Sequence, residues 1–202
     1  MRRYSLALLL IAACFGPTLI CSCSTETGFE PDSTNYPADQ IVPDIEAREP
    51  PASTFPVFDT SSARFFDQPY PSDLLLNSEG YPDVSNYPNP YSNQLLELYK
   101  ETVANIQGFS PVPVIYLRFD GPLDADSFPT PAETSSEDSP IFLTGVSEGS
   151  PDYGRLIPIE LDYYDKQPPV EDYYLAPWLM MVKPSRGFVL REGEQYMLVV
   201  MK

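Results

Sequence analysis

The sequence has no histidine, and its three cysteines all lie within the first 23 residues. Without an imidazole, the chain cannot complete a Ser-His-Asp or Cys-His catalytic arrangement, and it cannot bind a metal ion through histidine. Without a cysteine after Cys23, the folded part must be stabilised by packing and not by disulfides. We therefore predict that the chain has no nucleophile site of its own, is not an enzyme and needs no cofactor.

Basic residues are also scarce. Lysine and arginine together number 12 against 29 acidic residues, which gives a formal net charge of -17. The phosphates of a nucleic acid would repel such a chain, because binding there depends on protein cations that displace counterions. This balance excludes nucleic acid and favours partners that are neutral or basic.

Residues 1–22 have the pattern of a secretory signal. A short positive start precedes an apolar run at residues 6–13, which is too short and too interrupted to span a membrane comfortably. The letters ICSC at residues 20–23 resemble the bacterial lipobox, in which a cysteine is lipidated and becomes the new N-terminus. Cys23 is therefore the predicted lipidation site, and Cys14 is the alternative. The other interpretation is an ordinary cleaved signal with incidental cysteines.

Lipidation at Cys23 would place the protein in the bacterial cell envelope as an outer-membrane lipoprotein, held on the membrane by its anchor. Residues 23–63, which follow, are polar, acidic and rich in proline without any period. Such a segment buries too little apolar surface to offset the entropy lost on ordering. We predict a disordered linker that holds the folded part away from the membrane.

Residues 64–108 begin the predicted fold with an aromatic extended segment and a helix. The helix is predicted over residues 93–107, because Ser92 or Asn93 can cap its start and Gly108 can take the left-handed conformation past its end. Apolar or small side chains recur there at helical spacing: Leu95, Leu98, Tyr99, Thr102, Val103 and Ile106. We expect this face to pack on a β-domain.

Residues 109–202 contain short apolar runs separated by turn residues, as antiparallel strands require. The runs occupy residues 112–119, 141–146, 156–164, 179–182, 188–190 and 196–201. No alternation of strand and helix occurs, which argues against a parallel sheet. Because the last run reaches Lys202, we expect the sandwich to be cut short there and the native protein to continue.

Two turn sequences carry a family resemblance: FDGPLD at residues 119–124 and LREGEQY at residues 190–196. They resemble strand ends of a bacterial Ig-like domain, found in large envelope lipoproteins of Gram-negative bacteria. Some of those proteins carry an α/β-hydrolase domain after the Ig-like part. The resemblance implies an all-β fold, an Ig-like antiparallel β-sandwich with one N-terminal packed helix, preceded by a disordered tether. It supplies no catalytic residue.

Five aromatic side chains form the candidate ligand site: Tyr163, Tyr164, Tyr173, Tyr174 and Trp178. If they were exposed on one surface, they would stack on the sugar rings of a glycan or on an apolar ligand. The alternative is that half of them point into the sandwich while the rest cover its edge.

Acidic side chains provide two further candidates. Asp120, Asp124 and Asp126 are weak candidates for calcium, because their spacing lacks the loop of a known calcium motif. Glu160 and Asp162 share one face of a predicted strand, as glycosidase carboxylates would, but nothing else in the chain supports hydrolysis. Lys183 is expected to neutralise nearby acids.

These observations favour a non-catalytic, lipid-anchored envelope module, the N-terminal part of a longer secreted protein that can carry a hydrolase domain. Its expected partners are the membrane and the downstream domain of the same polypeptide. The alternative is a free-standing lipoprotein that binds a glycan or an apolar ligand through its aromatic residues. The third hypothesis, an enzyme in its own right, ranks last because the chain lacks histidine.

Overall fold

The computed structural model describes residues 7–12, 54–165 and 174–201. All three cysteines, most of the predicted linker and Tyr173 lie outside these ranges. The described residues form β1 (Ala7–Ala12), α1 (Gln94–Ala104), β2 (Ile115–Arg118), β3 (Ile141–Gly145), β4 (Leu156–Ile157), β5 (Ile159–Tyr164), β6 (Leu179–Pro184) and β7 (Gln195–Val200). Short 3-10 turns occupy Phe65–Asp67, Asp73–Leu75, Ala125–Ser127 and Glu133–Ser135.

The strands form two sheets, with the orders β1-β7-β3-β4 and β2-β6-β5. Every pair of neighbouring strands is antiparallel. The prediction of a β-rich fold built from antiparallel sheets, with one helix, is confirmed at this level.

The main core contains side chains from both sheets. Ile115 and Val182 of one sheet and Leu143 of the other are completely buried. In β2 the burial alternates, with Ile115 and Leu117 inside and Tyr116 and Arg118 half-buried on the opposite face. This alternation follows the period of two in a strand.

A second cluster covers the outer face of the β2-β6-β5 sheet. Phe65 and Phe66 are buried against Leu179 there. The Phe66 ring lies 5.6 Å from that of Tyr116 in an edge-on arrangement. The extended aromatic segment therefore packs on the sheet, as expected, and closes a face that would otherwise be open to water.

The chain reaches the edge of β2 earlier than the sequence indicated. Pro56 forms a bridge with Phe119, and Tyr70 forms one with Tyr116, so residues 54–70 add to the outer edge of β2. The predicted linker ran to residue 63, whereas hydrogen-bonded structure already exists at residue 54.

Helix α1 forms as predicted, but most of the predicted packing face is exposed. The Asn93 side chain caps the helix by accepting hydrogen bonds from the backbone N–H groups of the first turn, and Gly108 has a φ of 71°. The apolar side chains that were expected to be buried are instead about half exposed: Leu95, Leu98, Tyr99 and Ile106. Of the predicted residues, Val103 packs against the cluster of Phe65, Phe66 and Leu179, and Leu96, outside the predicted face, is half-buried.

Several strand limits differ from the predictions for reasons of backbone chemistry. β2 begins at Ile115 because Pro113, just before it, has no N–H to donate. Pro158 separates β4 from β5, where one strand was expected. The expected strand at residues 188–190 does not form. Leu190 is buried there, and its N–H donates to the carbonyl of Pro111 at 2.9 Å.

β1 lies within the predicted signal segment and pairs with the edge of β7. Removal of residues 1–22 by cleavage, which stays a prediction, would therefore uncover that edge. Within the described ranges, no helix has the length and apolar character needed to cross a membrane.

Candidate functional site

An open apolar cavity of about 450 Å³ lies at one end of the space between the sheets, where β2 and β7 end and β3 begins. Side chains from both sheets and from the loop after β2 form its walls, among them Phe119, Leu161, Met180, Ile141, Val200 and Phe128. The cavity therefore exists only because both sheets and this loop converge.

The lead-in segment (residues 54–57) forms part of the rim and is fixed by hydrogen bonds. The N–H of Phe55 donates to Asp120 Oδ1 at 2.7 Å, and the N–H of Asp120 donates to the Phe55 carbonyl at 3.0 Å. Thr54 Oγ1 donates to the carbonyl of Pro122 at 3.0 Å. The rim is thus tied to the turn after β2.

Tyr163 holds the opposite part of the rim. Its hydroxyl accepts the N–H of Leu123 at 3.0 Å, and its ring lies 6.0 Å from Phe128 in an edge-on contact. Burial raises the pKa of Tyr163, so the phenol stays neutral at physiological pH. Leu123 and Phe128 both line the cavity, which makes Tyr163 a positioning residue for its wall.

The polar side chains of the cavity wall are already satisfied. Ser127 Oγ donates to the carbonyl of Asp124 at 2.6 Å, and the Thr54 hydroxyl is bonded to Pro122. The remaining wall is mostly apolar. A molecule that enters the cavity would therefore contact mainly carbon and sulfur atoms, with few free hydrogen-bond donors among the wall side chains.

The structure does not bring the predicted aromatic site onto one surface. Tyr163 and Trp178 belong to the interior core, whereas Tyr164 packs in the cluster on the outer face of the same sheet. Neighbouring residues of a strand point to opposite faces, which separates Tyr163 from Tyr164. Tyr174 contacts Tyr91, with ring centroids 5.9 Å apart. A ligand role for these residues stays a prediction.

Two of the three aspartates proposed for calcium use their carboxylates in contacts with the backbone. Asp120 accepts the N–H of Phe55, and Asp124 accepts the N–H of Asp126 at the start of a 3-10 turn. Across the described ranges, no group of three acidic, cysteine or histidine side chains is arranged to hold a metal ion.

Glu160 and Asp162 share a strand face, as expected, and both approach Lys183. The Lys183 Nζ atom lies 3.3 Å from Glu160 and 4.0 Å from Asp162. A hydrogen bond from the N–H of Arg186, together with Lys183, lowers the pKa of Glu160. A general acid at neutral pH needs a raised pKa, so this pair has the properties of a structural ion pair.

A polar cluster at the opposite end of β7 was missed by the sequence reasoning. Tyr196, completely buried, donates its hydroxyl to Asp152 Oδ2 at 2.7 Å and accepts the N–H of Arg191 at 2.9 Å. Arg155 and Arg191 lie 3.2 and 3.3 Å from the same carboxylate. In the sequence Asp152 looks like an ordinary turn aspartate, because its partners are distant along the chain. Tyr196, the tyrosine of LREGEQY, was the residue from which this cluster could have been predicted.

This polar cluster shifts two pKa values in opposite directions. Burial, and then the neighbouring Asp152 carboxylate, raise the pKa of Tyr196 to about 12. Burial alone would raise the pKa of Asp152, but the hydrogen bonds from Tyr196 and Arg155, with the charge of Arg191, lower it. The cluster is therefore a neutral phenol bound to an ionised carboxylate at physiological pH.

Raising the pH from 10 to 12 should destabilise the protein, and Tyr196→Phe should remove part of that loss. Unfolded tyrosine loses its proton near pH 10, whereas Tyr196 keeps it to about 12. The folded state then binds more protons, so stability falls as the pH rises, by roughly 1.4 kcal/mol per pKa unit. Urea unfolding measured across this window checks the slope, and an unchanged slope in Tyr196→Phe contradicts the assignment.

The cluster of Asp152 and Tyr196 also affects how the stability of the protein changes in acid. Because the pKa of Asp152 is lowered, its contribution to stability is present above the ordinary value of 3.8 and is lost as the pH falls below it.

The loss of stability between pH 10 and 12 is not due to Tyr196 alone, because burial also raises the pKa values of Tyr116 and Tyr163. Tyr196→Phe should therefore reduce the slope without abolishing it.

One catalytic pattern was overlooked at the sequence level. Residues 145–149 read GVSEG, which matches the letters of the G-x-S-x-G nucleophile motif. A nucleophile elbow needs a strand, a sharp turn and a helix. Here Ser147 follows β3 and leads into a turn, and its Oγ accepts the N–H of Gln195 at 2.6 Å. GVSEG therefore matches the letters of the motif but lacks the strand-turn-helix structure that the motif needs. The chain also has no histidine to act as the base.

Comparisons with known proteins were made at three levels: family models, curated proteins and solved structures. None of the three found a match. The Ig-like resemblance of residues 119–124 and 190–196 therefore remains a proposal, and the functional argument is based on the contacts given above.

Proposed function

We propose that this chain is a non-catalytic, lipid-anchored module of the bacterial cell envelope. It would tether the domain that follows it in a longer polypeptide and hold that domain at a distance from the membrane. The observation that carries this proposal is the attachment of the lead-in segment to the edge of β2, since a tether is useful only where it is fastened to a folded body.

The fastening is distributed over several backbone contacts. Besides the bonds between Phe55 and Asp120, the N–H of Val57 donates to the carbonyl of Arg118 at 2.8 Å. These contacts lie on the outer edge of β2, whose other edge is paired with β6. A pull on the N-terminal side is thereby transmitted to the sheet and not to a single side chain.

The chain length between the anchor and this fastening allows a wide separation. Residues 24–53 lie between Cys23 and Thr54. At roughly 3.4 Å per residue, this stretch spans at most about 100 Å. That reach would place the folded part well outside the head-group layer of the membrane.

The Ig-like assignment is part of the same proposal, and Tyr196 supports it. In Ig-like sandwiches a tyrosine near the start of a late strand bonds through its hydroxyl to the backbone a few residues upstream. Tyr196 is the second residue of β7, and its hydroxyl accepts the N–H of Arg191. This contact fixes the turn that precedes β7.

The lipid anchor is tested by Cys23→Ala in the full chain expressed in a Gram-negative host. We expect the variant to move from the membrane fraction to the soluble fraction, because acyl chains contribute roughly 0.8 kcal/mol of membrane binding per buried methylene. Cys21→Ala is the matched control and should stay membrane-bound. If Cys23→Ala stays bound while Cys14→Ala is released, the lipidated cysteine is Cys14. If both stay bound, the anchor is refuted.

A further inference from the structure

We propose that the apolar cavity between the sheets binds a single aliphatic chain that carries a neutral or cationic head group. Of the five predicted aromatic residues, only Tyr163 has a part in this site, through its contacts with Leu123 and Phe128 in the wall. The described wall residues all lie after Cys23, between Thr54 and Met201.

The size and lining of the cavity define the apolar part of the ligand. Its volume of about 450 Å³ lies within the range of small-molecule sites, which is roughly 300–1,000 Å³. A sugar would lose hydrogen bonds with water on entry, since Thr54 and Ser127 are the polar side chains among the described wall residues and both hydroxyl protons are already donated within the protein. The flexible thioethers of Met180 and Met201 can adapt to an irregular, mobile hydrocarbon.

The charges around the cavity define the head group. Three exposed acidic side chains lie in the turn and loop after β2 that supply part of the wall: Asp120, Asp124 and Asp126. Asp120 accepts the N–H of Phe55 at the rim. The whole chain carries a net charge of -17. A carboxylate head group at the mouth would be repelled by these charges, whereas an ammonium group would be attracted. An alcohol, which is neutral, would be neither attracted nor repelled.

The test uses the full chain with Cys14→Ala and Cys23→Ala, so that no lipid is attached at either position. Decyltrimethylammonium, decanol and decanoate are titrated into it by calorimetry at low salt. We expect the ammonium compound to bind at least tenfold more tightly than decanoate, with decanol between them. Octanol should bind about 15-fold more weakly than decanol, at roughly fourfold for each methylene removed.

Two filling variants locate the site. Met180→Trp occupies the interior of the cavity and Leu123→Trp occupies its rim, so each should weaken decanol binding by more than tenfold. Val189→Trp, at an exposed apolar position outside the wall, is the matched control and should bind as the parent does. Asp126→Lys should reduce the discrimination against decanoate. Thermal unfolding checks that each variant is folded, and the two filling variants provide independent tests.

Three results would overturn the proposal. The first is no binding of either decanol or decyltrimethylammonium. The second is binding that both filling variants leave unchanged. The third is binding that appears only after deletion of residues 24–53, which would show that the cavity holds a segment of the chain itself. None of these three results bears on the Cys23→Ala experiment, because that experiment measures membrane attachment and not ligand binding.

Discussion

Arg118→Met should lower the free energy of unfolding by about 3–5 kcal/mol, the largest loss that we expect from a single charge change. The Arg118 Nη2 atom lies 2.5 Å from Asp67 Oδ1, and the two side chains are only 11% and 10% exposed. Methionine keeps much of the alkyl volume but leaves the Asp67 carboxylate buried without its cation. The Ser62 hydroxyl, which donates to Asp67 Oδ2 at 2.6 Å, cannot replace that charge. Urea unfolding followed by circular dichroism measures the loss.

Lys183→Met is the matched control on the same face of the sheet. Lys183 pairs with Glu160, but its side chain is 42% exposed, so its loss should cost at most about 1 kcal/mol. A double variant, Arg118→Met with Asp67→Leu, should recover much of the stability, because no unpaired charge remains buried. Equal losses in Arg118→Met and Lys183→Met would contradict the expectation that the buried Arg118–Asp67 pair matters more to stability than an exposed one.

Gly145→Ala should destabilise the protein by about 3 kcal/mol, because the added methyl group meets backbone and not a movable side chain. A Cβ at this position would overlap the carbonyl oxygen of Asp152 and lie 2.7 Å from its carbonyl carbon. The loop crosses β3 at this point, where Gly154 donates its N–H to the Gly145 carbonyl at 2.9 Å. Moving the loop would also displace Asp152 from Tyr196. Thermal unfolding gives the change directly.

Gly149→Ala separates this steric effect from the general cost of replacing glycine. Gly149 has a φ of 83° with nothing within 4 Å of an added Cβ, so the substitution should cost about 1 kcal/mol through backbone strain alone. If Gly145→Ala proved no more damaging than Gly149→Ala, the close contact between β3 and the Asp152 loop would not be a constraint on stability.

The features that the sequence predicted correctly are those fixed by neighbouring residues. The inward and outward faces of β2 follow from alternation, and the caps of α1 follow from Asn93 and Gly108. The antiparallel arrangement follows from short apolar runs separated by turn residues. In each case the physical cause lies within a few residues of the effect, so the feature can be predicted from a short stretch of sequence.

The features that could not be predicted depend on contacts between distant parts of the chain. The packing face of α1 is one, because the helix has adjacent apolar faces and only the cluster of Phe65, Phe66 and Leu179 decides that Val103 is the residue that packs. The polar cluster is another, since Asp152 and Tyr196 are 44 residues apart. The cavity forms only when both sheets are in place. The predicted aromatic residues are divided by strand geometry between the interior core and the cluster on the outer face of the sheet.

The shallow packing of α1 has a consequence for the dynamics of the molecule. No residue of the helix is fully buried, and Leu95, Leu98 and Tyr99 are more than half exposed. Opening the helix should therefore break few apolar contacts, so we expect its amide protons to exchange with solvent through a local fluctuation that leaves β6 and β7 intact. We expect the two sheets to form the slowly exchanging unit of the fold, with α1 as a separate, less protected unit at its surface.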